Sequence, residues 1–341
     1  MDTRMTQLEG WLPAALAEGF TRMGWQGIPS GQLAPASADA SFRRYFRWQS
    51  AERSLIVMDA PPEHEDSTPF VRIAALLEAA GVRVPRILAS DLQQGFLLLE
   101  DMGAKTFLQS IESGVTAAQL EQMFSSAIDT LVLWQLASQP GVLPPYDEAV
   151  LRRELALFPD WYVARELGRS FNAHEQADWD QLQALLLESN LGEAQVFVHR
   201  DYMPRNLMTA EAAPGVLDFQ DALYGPASYD ATSLFADAFF SWTPAERKSW
   251  LTRYWTRALA AGVPLPRELE VFLDQARLMG VQRHLKVLGI FARICHRDGK
   301  PHYLRDAPRF VRYLRDACAD DVRLQPLQRL LDSLGLSACK P

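Results

Sequence analysis

The most constraining feature of this chain is a pair of short apolar runs that enclose a polar loop. The first run, residues 196–198, leads into a His-Arg-Asp tripeptide that ends at Asp201, and the second, residues 216–217, leads into Asp218. Runs rich in Val, Phe and Leu favour strands, and the prolines between them favour a loop. The pattern therefore predicts a hairpin that brings Asp201, Asn206 and Asp218 together.

The residue types in this hairpin suit phosphoryl transfer. That reaction needs a carboxylate to orient the attacking hydroxyl and accept its proton, and hard oxygen ligands for a magnesium ion on the nucleotide phosphates. Asp201 suits the first role, and Asn206 and Asp218 suit the second. We expect His199 to pack and hydrogen-bond within the loop instead of transferring a proton.

Length and charge limit the partners of the chain. Its 341 residues can bury a large core, and the length suggests two lobes or domains. The net charge is −8, so the chain has no general basic surface for nucleic acid or an anionic membrane. We expect small-molecule ligands and no obligate protein partner. An anionic nucleotide would have to be bound by local cations and magnesium.

Cysteine use and hydropathy indicate the compartment. Cys295, Cys318 and Cys339 are odd in number and far apart, and their spacing is not that of metal ligands. Residues 1–20 lack the basic start and apolar block of a signal peptide and are predicted to form a helix. No run of 18 apolar residues is present. We expect a cytoplasmic protein.

The distribution of elements predicts an α+β chain with a boundary near residue 100. Before it, the pattern favours a β-β-α-β-β lobe, with elements at 41–48, 54–59, 70–80, 86–89 and 95–99. After it, long helices are predicted at 118–137, 175–191, 244–261, 266–298 and 301–318. We therefore assign residues 1–100 to an N-lobe and residues 101–341 to a helical C-lobe, with a ligand cleft between them.

This combination of a small β lobe, a helical lobe and the two motifs resembles the protein-kinase-like fold. Within that fold it resembles the aminoglycoside and choline kinase branch, whose second motif continues through an aromatic residue and a Gly-Pro to a later aspartate, here residues 218–230. The resemblance implies a small antiparallel sheet with one main helix in a nucleotide-binding N-lobe. It also implies a larger C-lobe that carries the catalytic hairpin and the acceptor site.

Four further segments resemble a family of bacterial anomeric kinases that phosphorylate N-acetylmuramate and N-acetylglucosamine in peptidoglycan recycling. They are residues 39–47, 58–62, 98–103 and 289–293. The resemblance implies transfer of the ATP γ-phosphate to the anomeric hydroxyl. Two alternatives stay open: a kinase of another alcohol, such as an aminoglycoside, choline or homoserine, and a nucleotide-binding regulator without catalysis.

The resemblance also implies roles for individual residues. Asp201 would accept the anomeric proton, Asn206 and Asp218 would bind magnesium, and Asp230 would anchor the backbone of the catalytic loop. Adenine would be bound by backbone groups of a hinge segment, with one side chain behind the ring; these residues are Leu99, Glu100, Asp101 and Met102.

The chain departs from protein kinases on the phosphate side. The turn at 36–41 has no glycine, and the third strand, 55–59, has no lysine. We expect Arg44 to bind a phosphate through bidentate hydrogen bonds instead. Three residues near the motifs are predicted to face the sugar: Arg205, Asp221 and Tyr224. Further candidates on a later helix are Arg283, His284 and Lys286.

Overall fold

The computed structural model describes residues 2–37, 42–236 and 238–337. The chain divides into two compact units. The first contains Met1–Lys105 and Met208–Asp221, and the second contains Thr106–Leu207 and Ala222–Pro341. The segment from 208 to 221, which the predicted boundary placed in the C-lobe, thus belongs to the first unit.

The first unit is built on a five-stranded antiparallel sheet, which confirms the predicted β-rich part of an α+β fold. The strand order is β1-β2-β3-β5-β4. The strands and helices are α1 (Thr3–Arg22), β1 (Gln32–Ser37), β2 (Arg44–Gln49), β3 (Ser54–Asp59), α2 (Thr68–Ala79), β4 (Ile87–Asp91) and β5 (Phe96–Glu100).

Helix α1 covers one face of this sheet. The helix begins at the cap residue Asp2, whose carboxylate accepts hydrogen bonds from the backbone N–H groups of residues 4 and 5. Its buried side chains, which include Leu16 and Phe20, pack against Phe46 and Trp48 of β2 and against strands β3, β4 and β5. Because side chains alternate along a strand, Arg44 shares this covered face with Phe46 and Trp48.

The second unit is mostly helical, as the sequence predicts. Its helices are α3 (Phe107–Glu112), α4 (Ala117–Leu136), α5 (Glu148–Leu157), α6 (Ala173–Leu191), α7 (Tyr229–Phe235), α8 (Pro244–Ala261), α9 (Leu269–Asp298), α10 (Ala307–Asp320) and α11 (Gln325–Ser333). A π-helical segment, Phe158–Glu166, extends α5. None of the helices in the described ranges is apolar over enough of its length to cross a membrane.

The long helix α9 is the centre of the second unit. It packs against the π-helical segment, α5, α6, α7 and α10, and most of its middle section is buried. Gly289 allows the closest of these approaches, because a side chain there would overlap the backbone of Leu157. This absence of a side chain brings α9 and the end of α5 together.

The predicted hairpin between the two apolar runs is wrong. Strand β6 (Gln195–Val198) pairs with β9 (Leu223–Pro226), whereas β7 (Leu207–Met208) pairs with β8 (Gly215–Val216). The second run therefore forms a local ribbon with the residues just before it. A short loop closes at a smaller entropy cost than a long one, and β9 supplies the partner of β6.

Candidate active site

Strand β6 leads directly into the catalytic loop predicted from the sequence. The loop continues into a short 3₁₀ turn, Pro204–Asn206, and there the Asn206 side-chain amide donates a hydrogen bond to the carbonyl of Asp201 at 2.9 Å. The structure therefore brings Asp201 and Asn206 together. Because the Asn206 nitrogen is used in this bond, its side-chain oxygen is the atom suited to a cation.

A buried carboxylate supports the loop from the first turn of α7. Asp230 accepts hydrogen bonds from the backbone N–H of His199 at 2.6 Å and of Arg200 at 3.0 Å. Burial raises the pKa of Asp230 above its usual value, and the positive charges and N–H groups around it oppose the shift. The His199 ring is also buried, and its Nδ1 accepts a bond from the Asp201 N–H at 3.3 Å.

Two residues of the motifs have left-handed backbone conformations. Arg200 has φ +77° and Asp218 has φ +62°, and they are the non-glycine residues with positive φ in the described part of the chain. Such conformations cost about 1–3 kcal/mol each and persist only where the surroundings enforce them. Asp218 is itself a predicted metal ligand, and Arg200 directly precedes Asp201, the predicted proton acceptor.

The side chain of Arg200 enters a buried ionic cluster. Its guanidinium donates to Glu154 of α5 at 2.6 Å, and the Lys286 ammonium of α9 is 2.9 Å from the same carboxylate oxygen. The Tyr146 hydroxyl donates to the other oxygen of Glu154, and Lys286 also donates to the Tyr229 hydroxyl at 3.0 Å. Burial alone raises the pKa of Glu154, but the two cations outweigh it and hold the pKa below its usual value.

The three further acceptor candidates of the later helix lie inside the second unit. Arg283, His284 and Lys286 are all buried. Arg283 donates to the Ser233 hydroxyl at 2.7 Å, and the ring of His284 stacks on Tyr313. These three side chains therefore bind other parts of the second unit.

Asp218 lies in the first unit and precedes a packed aromatic residue. Its carboxylate accepts a hydrogen bond from the Gln220 side chain at 2.9 Å. Phe219 is fully buried and packs on Phe70 of α2, with 4.8 Å between the ring centroids. The contact fixes the backbone beside Asp218, and its predicted meeting with the catalytic loop stays a prediction.

The predicted adenine segment is held by two arginines. Asp101 accepts from Arg47 at 2.7 and 3.1 Å and from the Gly103 N–H at 3.0 Å. Glu100 accepts from the Arg86 side chain at 2.7 Å, and its own N–H donates to the Arg86 carbonyl at 2.9 Å. The side chains at 100 and 101 therefore brace the segment, while Leu99 and Met102 are buried beside it.

Arg44 is bound by protein carboxylates. It donates to Asp59 at 2.9 and 2.6 Å and to the helix-capping Asp2 at 2.5 Å. Asp59 is fully buried and is also bound by Arg4. A phosphate contact would require Arg44 to leave these partners and the α1-covered face.

We therefore expect the Arg44→Ala variant to lose stability before it loses nucleotide affinity. Removing a partner of the buried Asp59 costs about 1–2 kcal/mol, since Arg44 itself is partly exposed. The Michaelis constant for ATP should stay within about twofold, because a side chain bonded to Asp59 and Asp2 makes no contact with the phosphates that its removal could abolish. Arg47→Ala, on the opposite face of the same strand, is the matched variant and should raise that constant. A higher Michaelis constant in Arg44→Ala alone would support the phosphate role.

The three residues predicted to face the sugar lie in separate segments. The Arg205 guanidinium lies over the ring of Phe239, 5.1 Å from its centroid, and Tyr224 pairs with Phe197 in the β6–β9 ribbon. Both belong to the second unit, whereas the exposed Asp221 ends the first. Their contacts with an acceptor stay predictions.

Glu193, just before β6, is a buried carboxyl, and no cationic side chain in the described part of the chain forms an ion pair with it. Its two oxygens accept from the Ser228 N–H at 2.9 Å and from the Ser228 hydroxyl at 2.8 Å. Burial raises the pKa of Glu193 to about 7, against the effect of these two bonds. The folded protein therefore binds this proton more tightly than the unfolded chain does.

This shift predicts a loss of stability as the pH rises from about 4.5 to about 7. Below this window the carboxyl is protonated in both states; above it the folded state bears a buried charge, at a cost of roughly 3 kcal/mol. Glu193→Gln removes the charge; its amide oxygen can accept from the Ser228 N–H, and its amide nitrogen can donate to the Ser228 hydroxyl oxygen. Urea unfolding at pH 5 and pH 8 should show a smaller fall in stability for the variant. Parallel pH dependences for the two proteins would refute this assignment.

The geometry of the loop agrees with the comparison of the chain with known proteins. Residues 32–272 match the sequence model of the phosphotransferase enzyme family, APH. The chain belongs to this family. The match includes both motifs and the five-stranded sheet, and it makes the protein a phosphotransferase.

Two relatives of this phosphotransferase are similar over almost their whole length. One is the N-acetylmuramate/N-acetylglucosamine kinase of Pseudomonas aeruginosa, 56% identical over 337 residues, which are 99% of this chain and 98% of the relative. The other is the kinase of the same name from Pseudomonas putida, 51% identical over 337 residues, with coverages of 99% and 98%.

Solved structures confirm the kinase-like fold of the phosphotransferase. Choline kinase LicA from Streptococcus pneumoniae aligns with a TM-score of 0.58 at 12% identity, over 90% of this chain and 99% of that one. The ADP-bound aminoglycoside phosphotransferase APH(2'')-Ib aligns with a TM-score of 0.57 at 12% identity, over 87% and 97%. These structures show the fold, and the match to the family model confirms the predicted phosphotransferase family.

Glu154, Tyr146 and Arg47 are residues that the sequence analysis did not single out. One pattern does point to Glu154: it lies between Leu151 and Leu155 on the buried face of α5. Charged residues are rarely buried unless they are paired, so a glutamate on an apolar helix face indicates a buried cation nearby.

Proposed function

We propose that this phosphotransferase transfers the γ-phosphate of ATP to the anomeric hydroxyl of N-acetylmuramate, N-acetylglucosamine or both. The product is the sugar 1-phosphate, and the role is cytoplasmic cell-wall recycling. The observation that carries the proposal is the near-complete match to two kinases named for these sugars, at 56% and 51% identity. The braced catalytic loop supports it, because the loop carries Asp201, the proposed proton acceptor, and Asn206.

In the proposed reaction Asp201 orients the anomeric hydroxyl and accepts its proton. The sugar oxygen then forms a bond to the γ-phosphorus as the bond to the β–γ bridging oxygen breaks, and ADP leaves. In-line positioning supplies most of the acceleration in such reactions. The hydrogen bond from Asn206 and the Asp230 anchor support this role, because they fix the backbone on both sides of Asp201.

Asn206 and Asp218 would bind the magnesium ion that accompanies ATP. A carboxylate oxygen and an amide oxygen are hard ligands, and magnesium in nucleotide sites takes few protein ligands besides phosphates and water. When bound, the ion neutralises charge that develops on the phosphates.

We propose that the first unit binds the nucleotide, with adenine against the backbone of Glu100, Asp101 and Met102 and with Leu99 behind the ring. The Arg47–Asp101 pair supports this role by fixing the segment before a ligand arrives. The acceptor would then be bound by the second unit, including Arg205 and Tyr224, and Asp221 is proposed as a further contact of the sugar. Arg205 is the cation best suited to the lactyl carboxylate of N-acetylmuramate.

The experiment that tests this function is coupled detection of ADP with a panel of acceptors. We expect turnover with N-acetylmuramate and N-acetylglucosamine that depends on both sugar and magnesium. Turnover with kanamycin, choline or homoserine alone would replace the sugar assignment with another alcohol. Thermal stabilisation by Mg-ATP without phosphate transfer to any acceptor would indicate a nucleotide-binding regulator.

A further inference from the structure

The buried cluster around Glu154 lies against the catalytic loop and plays no part in the chemistry described above. Its members come from four separate places: the segment before α5, helix α5 itself, helix α9 and the catalytic loop. Tyr146, Glu154 and Lys286 are buried, and Arg200 is partly buried. Tyr146, Lys286 and Arg200 each bond to the carboxylate of Glu154.

The backbone of Arg200 is held from the other side. Its N–H donates to Asp230 at 3.0 Å, while its guanidinium donates to Glu154 at 2.6 Å. With both ends of the residue bonded, the backbone cannot relax from φ +77° towards the extended region that an arginine normally prefers. The peptide that follows Arg200 determines where the Asp201 carboxylate points.

We propose that Glu154 is a positioning residue, which acts through Arg200 to set the direction of the Asp201 carboxylate. This inference rests on the proposed function, in which Asp201 orients the acceptor hydroxyl. Lys286 and Tyr146 hold the Glu154 carboxylate in place by occupying its two oxygens. Glutamine at 154 would keep one accepting oxygen but lose the charge, which leaves Arg200 and Lys286 as neighbouring cations without a carboxylate partner.

A structural role alone would give a different result, and the second unit offers a matched control. Glu175 is also buried and also accepts from an arginine, Arg169, at 2.5 and 2.7 Å. Glu175 also accepts hydrogen bonds from the Asn172 N–H and the Ser333 hydroxyl, and neither residue belongs to the catalytic loop. Glu175→Gln therefore removes an arginine-paired carboxylate of the same unit without affecting Arg200.

The test measures steady-state kinetics and amide hydrogen exchange of peptides covering 199–206 in Glu154→Gln and Glu175→Gln. For Glu154→Gln we expect kcat to fall about 30-fold, with the Michaelis constants for ATP and sugar within about twofold. Exchange in the loop should rise about tenfold. Glu175→Gln should lower the melting temperature but leave kcat and loop exchange unchanged. Equal effects of the two variants on the loop would overturn the proposal.

A double variant separates positioning from stability. The double variant Glu154→Gln, Lys286→Met removes one charge of each sign. The cluster therefore keeps its net charge, and the stability lost in the single variant should be regained. We expect the melting temperature to recover while kcat stays low. Recovery of kcat together with the melting temperature would show that Glu154 acts through stability alone. Amide hydrogen exchange of the loop does not depend on turnover. It therefore tests the effect of Glu154 on the loop separately from the proposed function, which fails if the wild-type protein is inactive towards both sugars.

Discussion

Asp201→Asn should abolish most turnover and leave the fold intact. The variant keeps the size of the side chain and the backbone carbonyl that Asn206 binds, but it cannot accept the proton of the acceptor hydroxyl. A positioned general base contributes about 10²–10⁴-fold, so we expect kcat to fall about 10³-fold. The Michaelis constant for ATP should change little, because the proposed role of this carboxylate is towards the acceptor and not the nucleotide. Coupled ADP detection with N-acetylmuramate provides the measurement.

The control for this substitution is Asp147→Asn. Asp147 caps α5 by accepting from the Val150 N–H at 3.0 Å, and asparagine is an equally good cap. This variant undergoes the same chemical change in the same unit and should retain wild-type turnover. Sugar-dependent ADP release that persists in Asp201→Asn at more than a tenth of the wild-type rate would remove Asp201 from its proposed role.

Asp218→Asn should cause the second large loss, and the loss should depend on magnesium. Asparagine keeps an oxygen but loses the charge that attracts a divalent ion, and charge stabilisation by a bound metal is worth several kcal/mol. We expect kcat/KM to fall on the order of 10³-fold at 1 mM magnesium. The deficit should shrink as magnesium is raised or manganese is supplied.

The magnesium titration distinguishes a ligand from a structural residue. Asp218 has φ +62°, a conformation that asparagine tolerates well, so the variant should fold and melt near the wild-type temperature. A deficit that is the same at every magnesium concentration would argue against metal binding by Asp218. Unaltered activity at low magnesium would do so as well.

The sequence predicted strands well where apolar and polar side chains alternate within the strand itself. Strand β3 has the predicted bounds, 54–59, because its alternating and apolar side chains and flanking polar turn determine it. Strand β1 was given no bounds in advance, since Gln32–Ser37 contains Pro35 and few β-favouring residues. It forms because β2 offers an edge to pair with, which is a tertiary effect.

Contacts between distant segments explain the other differences. The sequence identified Asp201, Asn206 and Asp218 as candidate site residues, because their residue types and spacing are distinctive. It did not show that Arg200 binds Glu154, 46 residues earlier, or that Arg47 binds Asp101, 54 residues later. Such pairs arise only when helices and strands have packed. For the same reason the sequence suggested Arg44 as a phosphate ligand from its place in an arginine-rich strand, and it did not show that the register of β2 places Arg44 opposite Asp59.

The central claim, phosphate transfer to an anomeric hydroxyl, is tested most directly by phosphorus NMR of the product. N-acetylmuramate or N-acetylglucosamine is incubated with the protein and Mg-ATP, and methyl N-acetylglucosaminide, whose anomeric oxygen is blocked, is the control acceptor. We expect a new phosphate-ester resonance coupled to the anomeric proton with each free sugar and none with the glycoside. A resonance coupled to another sugar proton, or phosphorylation of the blocked glycoside, would contradict the proposed reaction.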